Sequence, residues 1–232
     1  MEDQVEMQGK VAIVTGGSGA IGQAVVRLLL DEGATVVVAG RSALARVEDR
    51  LSFVETDVTN EESVRSLVER VTADQGTVHA LFNVAGGFKY GPAVDELAMT
   101  DWDSLLDLNL KSAFLCMKHV LPVMKGQRYG RIVSVAARSG LKGDAMVAPY
   151  AVSKGGVILL TQTVAEESKA YGVTANAVLP SIVDTAANRV SMPDADFGAW
   201  VAPADLAEVM VFLASDRARA VTGAAVPVHN RA

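Results

Sequence analysis

Residues 11–22 run Val11-Ala12-Ile13-Val14-Thr15-Gly16-Gly17-Ser18-Gly19-Ala20-Ile21-Gly22. The first five are apolar enough for a short buried strand. Without any linker they pass into a glycine cluster, and from there into residues with the apolar spacing of a helix. Glycines at such a junction let the backbone turn tightly and lie against a pyrophosphate, while the free N–H groups of the helix start accept its negative charge. Gly16, Ser18, Gly19, Ala20 and Ile21 are therefore candidate dinucleotide contacts. A plain tight turn is the alternative, since a glycine cluster by itself is a weak signal.

Working outward, the alternation of apolar runs and helical stretches continues almost to the end of the 232 residues. Strands are predicted at Val11–Thr15, Thr35–Ala39, Leu51–Glu55, Val78–Asn83, Arg131–Val135, Val173–Leu179 and Ala224–Val228. Helices are predicted near Ile21–Glu32, Asn60–Asp74, Asp101–Met124, Pro149–Tyr171 and Pro203–Ala214. The strands are nearly continuous in Val, Ile and Ala, as expected when helices cover both sheet faces. An α/β fold follows: a single doubly wound parallel sheet of about seven strands, forming one domain over residues 1–232. Between Arg41 and Leu51 there is room only for a truncated connection. Residues 180–202 lack clear periodicity and follow a strand, which makes them the expected substrate lid, or else a surface loop without a role.

Composition narrows the function. The formal charge is −6 and no basic run occurs, which argues against nucleic acid as a partner. The start is polar and acidic, and no apolar run is long enough to span a bilayer, so no export signal and no membrane span are expected, and the cytoplasm is the expected location. Cys116 is the only cysteine, and His79, His119 and His229 are widely spaced without neighbouring ligands. No metal site is expected, and solvated or structural roles suit the histidines.

The predicted strand ends carry further polar signals. After the second strand comes Ala39-Gly40-Arg41-Ser42, where an acidic residue would bond the ribose hydroxyls of NAD. Arg41 instead offers a cation to a 2′-phosphate, favouring NADP with NAD possible; stacking on adenine or facing solvent is the competing role for Arg41. Asp57 and Val58 after the third strand could take the adenine amino group. Asn83, Ala85 and Gly86, in Asn83-Val84-Ala85-Gly86 after the fourth, would let backbone lie against the adenosine ribose.

Tyr150 and Lys154 open the helix after the fifth strand, four residues apart and therefore on one face. A tyrosine hydroxyl, with a pKa of about 10, is a poor proton carrier near neutrality unless its anion is stabilised. Lys154 and a positively charged oxidised nicotinamide could supply that stabilisation. Asn109 lies inside the apolar stretch Leu106-Asp107-Leu108-Asn109-Leu110, either satisfying backbone groups or holding a relay water behind the lysine.

On these residues the chain resembles the short-chain dehydrogenase/reductase family over nearly its whole length. The likeness rests on the glycine turn from Thr15, Asp57, Asn83-Val84-Ala85-Gly86, Asn109, Tyr150 with Lys154, and Pro180 followed by Thr185. It implies a Rossmann fold with Tyr150 as general acid/base. It also implies that Lys154 binds the nicotinamide ribose as well as tuning the tyrosine, that Asn109 holds a water, and that Pro180, Val183 and Thr185 lie at the carboxamide. Two positions depart from the family pattern. Ala20 replaces the middle glycine, and Ala137 stands where the catalytic serine is expected, with Ser139, or less plausibly Ser134, as substitutes.

Both departures are similar to the quinonoid dihydropteridine reductase-like branch. So are Val84-Ala85-Gly86-Gly87, Val178-Leu179-Pro180, Asp184-Thr185, Asn188-Arg189, Ser191-Met192-Pro193, Ala195-Asp196-Phe197 and Trp200. That branch carries an acidic residue where Gly40-Arg41 stand here, and the ending Pro227-Val228-His229-Asn230-Arg231-Ala232 lacks the family's Asp-Gly-Gly. The expected function is an NAD(P)H-dependent oxidoreductase transferring a hydride to a conjugated C=N or C=O small-molecule substrate, dihydropteridine-like in character. The alternatives are a carbonyl or 3-oxoacyl-thioester reductase using Ser139, and a catalytically weak dinucleotide-binding sensor or scaffold. The two long helices carrying Asn109 and Tyr150 are apolar over much of their circumference, so a homodimer or homotetramer is expected.

Overall fold

The structure is a computed structural model that describes residues 6–42 and 49–231. Seven parallel strands form one sheet: β1 (Val11–Thr15), β2 (Thr35–Gly40), β3 (Leu51–Glu55), β4 (Ala80–Asn83), β5 (Gly130–Val135), β6 (Val173–Pro180) and β7 (Ala225–Val228). Their order is β3-β2-β1-β4-β5-β6-β7. The order reverses beside β1, and doubly wound sheets bind ligands at such a reversal, outside the carboxyl ends of the strands. Register brings those ends level, with Thr15 beside both Ala39 and Asn83, and Asn83 beside Ser134.

Period-two alternation along each strand divides the core between the two faces. Ala12 and Val14 pack with Val25 and Leu29 of α1 (Ala20–Asp31) and with Leu206 and Met210 of α7 (Pro203–Ala214). Val11 and Ile13 pack on the other face with Val64 and Leu67 of α2 (Glu61–Gln75) and Leu115 and Val120 of α4 (Ser112–Gln127). Local chemistry sets the helix ends. Asn60 accepts from the Ser63 amide at 3.0 Å to start α2, and Gly76 ends it at φ +76°.

Strand limits agree with the expected ones to within a residue or two, the largest difference being β4, which begins at Ala80 rather than Val78. The long helix expected over Asp101–Met124 is interrupted. α3 (Met99–Leu106) passes into a π turn at Asp107–Lys111 before α4 begins. A wide turn of this kind pushes side chains out of helical register, and Asn109 sits within it. The last turn expected for the helix at Pro149–Tyr171 is a tighter one: α5 (Ala148–Ser168) gives way to a 3₁₀ turn at Lys169–Tyr171. Within residues 180–202 lies a short helix, α6 (Ala186–Ser191), started by Thr185 Oγ1 accepting from the Asn188 amide at 3.2 Å.

The truncated connection expected after Arg41 falls mostly on residues 43–48, which lie outside the described residues, as do residues 1–5 of the polar start and Ala232 of the ending. No described helix is long and apolar enough to cross a membrane, and among the described residues no group of His, Cys, Asp or Glu could hold a metal ion.

Candidate active site

At the junction of β1 and α1, Gly16 takes φ +67°, and a Cβ there would come within 2.9 Å of the Ala85 backbone. Thr15 fastens the same two turns together. Its hydroxyl donates to Phe82 O at 3.3 Å and accepts the Val84 and Ala85 amides at 3.1 Å each. Ala20 is the first residue of α1, where an alanine is a good helix former, so replacement of the family's glycine leaves the turn intact. Gly19 precedes it and brings no side-chain cap, so the first-turn N–H groups remain available to a ligand.

These residues border a cleft of about 910 Å³ at the carboxyl edge of the sheet. Gly16, Ser18, Gly19, Ala20 and Ile21 line it on one side. Arg41, Asp57, Val58, Ala85, Gly86 and Thr185, contributed by separate loops, also reach its wall. Of the candidate cofactor residues, Asn83, Tyr150, Lys154, Pro180 and Val183 do not line the cleft, and all of these but the half-buried Tyr150 are buried. The Asn83 amide donates to Ser134 Oγ at 3.1 Å, and the Val183 carbonyl accepts from Asn188 Nδ2 at 2.8 Å. Residues not foreseen complete the wall. Ser104, Asp107 and Leu108 enter through the π turn and the helix before it, while Thr56 and Thr59 flank Asp57. Thr59 donates to the Asp57 carboxylate from its hydroxyl at 2.7 Å and from its amide at 2.9 Å. These bonds hold the Asp57 carboxyl below the usual carboxylate range, with smaller help from the charges of Arg41 and Lys111.

At the start of α5, Lys154 is 5% exposed, and its Nζ donates to Val135 O at 2.7 Å and lies 5.9 Å from the Tyr150 ring centroid. Burial disfavours charge on both side chains. It pulls the Lys154 ammonium down to about 8 and pushes the Tyr150 hydroxyl up to about 12.

Asn109 is 2% exposed, and its side chain is fully engaged. Oδ1 accepts the Gly87 amide at 2.8 Å, while Nδ2 donates to Gly87 O and to Ser153 Oγ, both at 3.0 Å. The Ser153 hydroxyl in turn donates to Tyr150 O at 2.8 Å. The π turn is thereby tied to both the β4 loop and α5. A Cβ on Gly86 would meet Asn109 Oδ1 at 2.9 Å and Lys154 Nζ at 3.2 Å, so the chain passes over both groups only because this residue is glycine.

Ala137 is 4% exposed and extended, just before the 3₁₀ turn Arg138–Gly140. That turn packs on α5, since a Cβ on Gly140 would lie 2.8 Å from the Lys154 carbonyl carbon. Ser134 is fully buried against Asn83 and cannot reach a substrate, which removes it as a substitute for the missing serine. Ser139 sits in the half-buried turn.

Residues 182–201 have their own packing. The Val201 amide donates to Ile182 O and the Asp184 amide to Val201 O, closing the base of the loop. Above it, Arg189 grips Asp184 through two bonds of 2.6 and 2.7 Å and lies over the Phe197 ring, which leans on the buried Trp200.

A family model described as short chain dehydrogenase matches residues 10–196. The chain is 35% identical to the cis-4-hydroxycyclohexanecarboxylate dehydrogenase of Sinomonas cyclohexanicum, covering 94% of each protein. It is 31% identical to the 3-oxoacyl-(acyl-carrier-protein) reductase FabG of Thermotoga maritima, over 97% of this chain and 98% of that one. Among solved structures, it superimposes on ElxO with NADP bound at a TM-score of 0.88 and 26% identity, covering 94% of this chain and 96% of that one.

Proposed function

The chain belongs to the short chain dehydrogenase family of oxidoreductases, and from that membership we propose that it uses NADPH to reduce a conjugated C=N or C=O group, with Tyr150 supplying the proton. The observation that carries this reading is the buried Lys154 Nζ beside Tyr150, roofed by Gly86 and braced through Asn109. With its hydroxyl pushed up to about 12, Tyr150 holds its proton at neutral pH, the state that an acid must have before it donates. Lys154, largely charged at pH 7, stabilises the tyrosinate left behind, and the low-polarity surroundings strengthen that attraction. When bound, NADPH supplies the hydride. Gly16, Ser18, Gly19, Ala20 and Ile21 would hold its pyrophosphate, with Thr185 at the far side of the cleft. The uncapped start of α1 suits that anion, because its free amides border the cleft.

Arg41, exposed on the cleft wall, supports NADPH over NADH, and the ElxO similarity includes a bound NADP. Removing a charge-assisted phosphate contact costs about tenfold or more in affinity. Titration of Arg41→Ala is expected to show that loss for NADPH with NADH unchanged; an NADPH affinity equal to wild type would take Arg41 out of the site.

Ala137 bears on the substrate. Without a hydroxyl there, an isolated ketone loses an oxyanion donor of the kind worth about a hundredfold or more in rate. A quinonoid, dihydropteridine-like ring is easily reduced and depends less on that donor. Ala137→Ser is therefore expected to raise turnover of simple ketones by about a hundredfold while changing a quinonoid substrate by less than about tenfold. The second reading, a 3-oxoacyl-thioester reductase using Ser139, draws on the similarity to FabG and on the packing of the Arg138–Gly140 turn against α5. Steady-state assays separate the two: a higher kcat/KM for an acetoacetyl thioester than for quinonoid dihydropterin overturns the first. We place the enzyme in the cytoplasm and read it as a homodimer or homotetramer, the association being supported by the exposed Phe114, Val152 and Leu159 on α4 and α5.

A further inference from the structure

The loop after β4 carries an aromatic array that the chemistry described so far does not use. Phe88 stands edge-on to the Tyr150 ring, with centroids 4.8 Å apart and planes at 87°. Tyr90 meets Phe88 in the same manner at 4.9 Å and 87°. Despite these contacts Phe88 is 52% exposed and Tyr90 71%, so each ring keeps a large open surface.

Both ends of this loop are fixed. Gly87, immediately before Phe88, is clamped by the Asn109 side chain at 2.8 and 3.0 Å. Gly91, immediately after Tyr90, donates its amide to Met146 O at 2.9 Å. Met146 itself takes φ +62°, a costly conformation for a residue with a side chain, and is 54% exposed two residues before α5. Lys89 is the one charged side chain between residues 86 and 91, and it is drawn away to Asp101 at 2.6 Å. The stretch from Gly86 to Gly91 is thus held at both ends, presents aromatic faces beside Tyr150, and has its own cation engaged elsewhere. Single exposed apolar side chains are ordinary, but a contiguous group beside a reactive hydroxyl marks a place where a ligand is meant to cover it.

We propose that Phe88 determines substrate class: with Tyr150 it forms an aromatic corner that receives the flat face of an aryl or fused-ring substrate, and Tyr90 and Met146 extend that surface outward. The proposal rests on the oxidoreductase reading above, because it takes Tyr150 as the group that meets the substrate. Aromatic rings gain from edge-to-face and offset contacts beyond the area they bury, and Phe88 presents such a contact already oriented. Aliphatic chains of the same size gain only burial, and short hydroxy acids or sugars have no ring to set against these faces.

The test is calorimetric titration of acetophenone and of 2-octanone, matched in carbon count, into the NADP complex of wild type, Phe88→Leu and Phe88→Tyr. Wild type is expected to bind acetophenone about tenfold more tightly than 2-octanone, Phe88→Tyr to keep that ratio, and Phe88→Leu to bring it near one with 2-octanone affinity within about twofold. A wild type without the preference, or a Phe88→Leu variant that keeps it, overturns the proposal. NADPH oxidation by quinonoid dihydropterin is followed in parallel. No oxidation with the binding preference intact would remove the proposed reduction at Tyr150 and leave the role of Phe88. Oxidation without the preference would do the reverse.

Discussion

Tyr150→Phe lowers kcat by about a thousandfold and leaves NADPH affinity within about twofold of wild type. The substitution removes one oxygen and keeps the ring, so the edge contact with Phe88 and the start of α5 persist. What it removes is the proton. Positioned general acids are worth about a hundredfold to ten-thousandfold, and three neighbouring positions cannot take over: Ser134 is sealed against Asn83, Ala137 has no hydroxyl, and Ser153 donates to the Tyr150 carbonyl. Stopped-flow turnover combined with a fluorescence titration of NADPH separates lost chemistry from lost binding. A variant retaining more than about a tenth of the wild-type rate would mean that the proton comes from elsewhere.

Lys154→Met has opposite effects on activity and stability. Activity falls by at least about a hundredfold, because the tyrosinate loses its neighbouring cation. Stability at pH 7 rises by about 2 kcal/mol, a few degrees in Tm. The gain follows from burial. Lowering a lysine from its ordinary 10.5 to about 8 means that the folded protein resists its charge by about 3 kcal/mol, and losing the bond to Val135 O returns about 1 kcal/mol of that. The sign also fixes the pH dependence. Since the folded value lies below the unfolded one, the unfolded chain binds more protons between about 8 and 10.5, and wild-type stability contains a term that rises with pH across that window. Lys154→Met lacks the rise. The same titration removes the cation from the site, so wild-type kcat/KM for reduction declines above about pH 8. Thermal melts across the window decide the matter; a variant less stable than wild type at pH 7 would show that Lys154 is held more comfortably than its burial implies.

Much of this architecture was legible because its causes are local. The run from Val11 to Gly22 identifies the first strand, the turn and the first helix, and the buried strands announce themselves by continuous apolar residues ended by glycine or a polar group. Tyr150 and Lys154 are legible together because four residues of helix place them on one face. What was not legible depends on partners distant in sequence. The π turn at Asp107–Lys111 accompanies bonds between Asn109 and Gly87, 22 residues away, and the regular apolar spacing around it reads as one unbroken helix. Asp107 and Leu108 reach the cleft through that irregularity and Ser104 from the helix before it, so nothing in their own neighbourhood marks them. α6 is too short to show a period, although Thr185 three residues before Asn188 is the capping arrangement that starts it. Ser134 is sealed on β5 against Asn83 while Ser139 lies beyond the strand in the Arg138–Gly140 turn, and telling them apart needed the pairing with Asn83.

The most direct test of a proton-donating Tyr150 in an NADPH-dependent reductase is NADPH consumption by wild type and Tyr150→Phe, side by side at saturating cofactor with quinonoid dihydropterin. The expected result is substrate-dependent consumption by wild type and about a thousandfold less by the variant, both binding NADPH equally. Equal rates in the two proteins, or no substrate-dependent consumption by wild type, would contradict it.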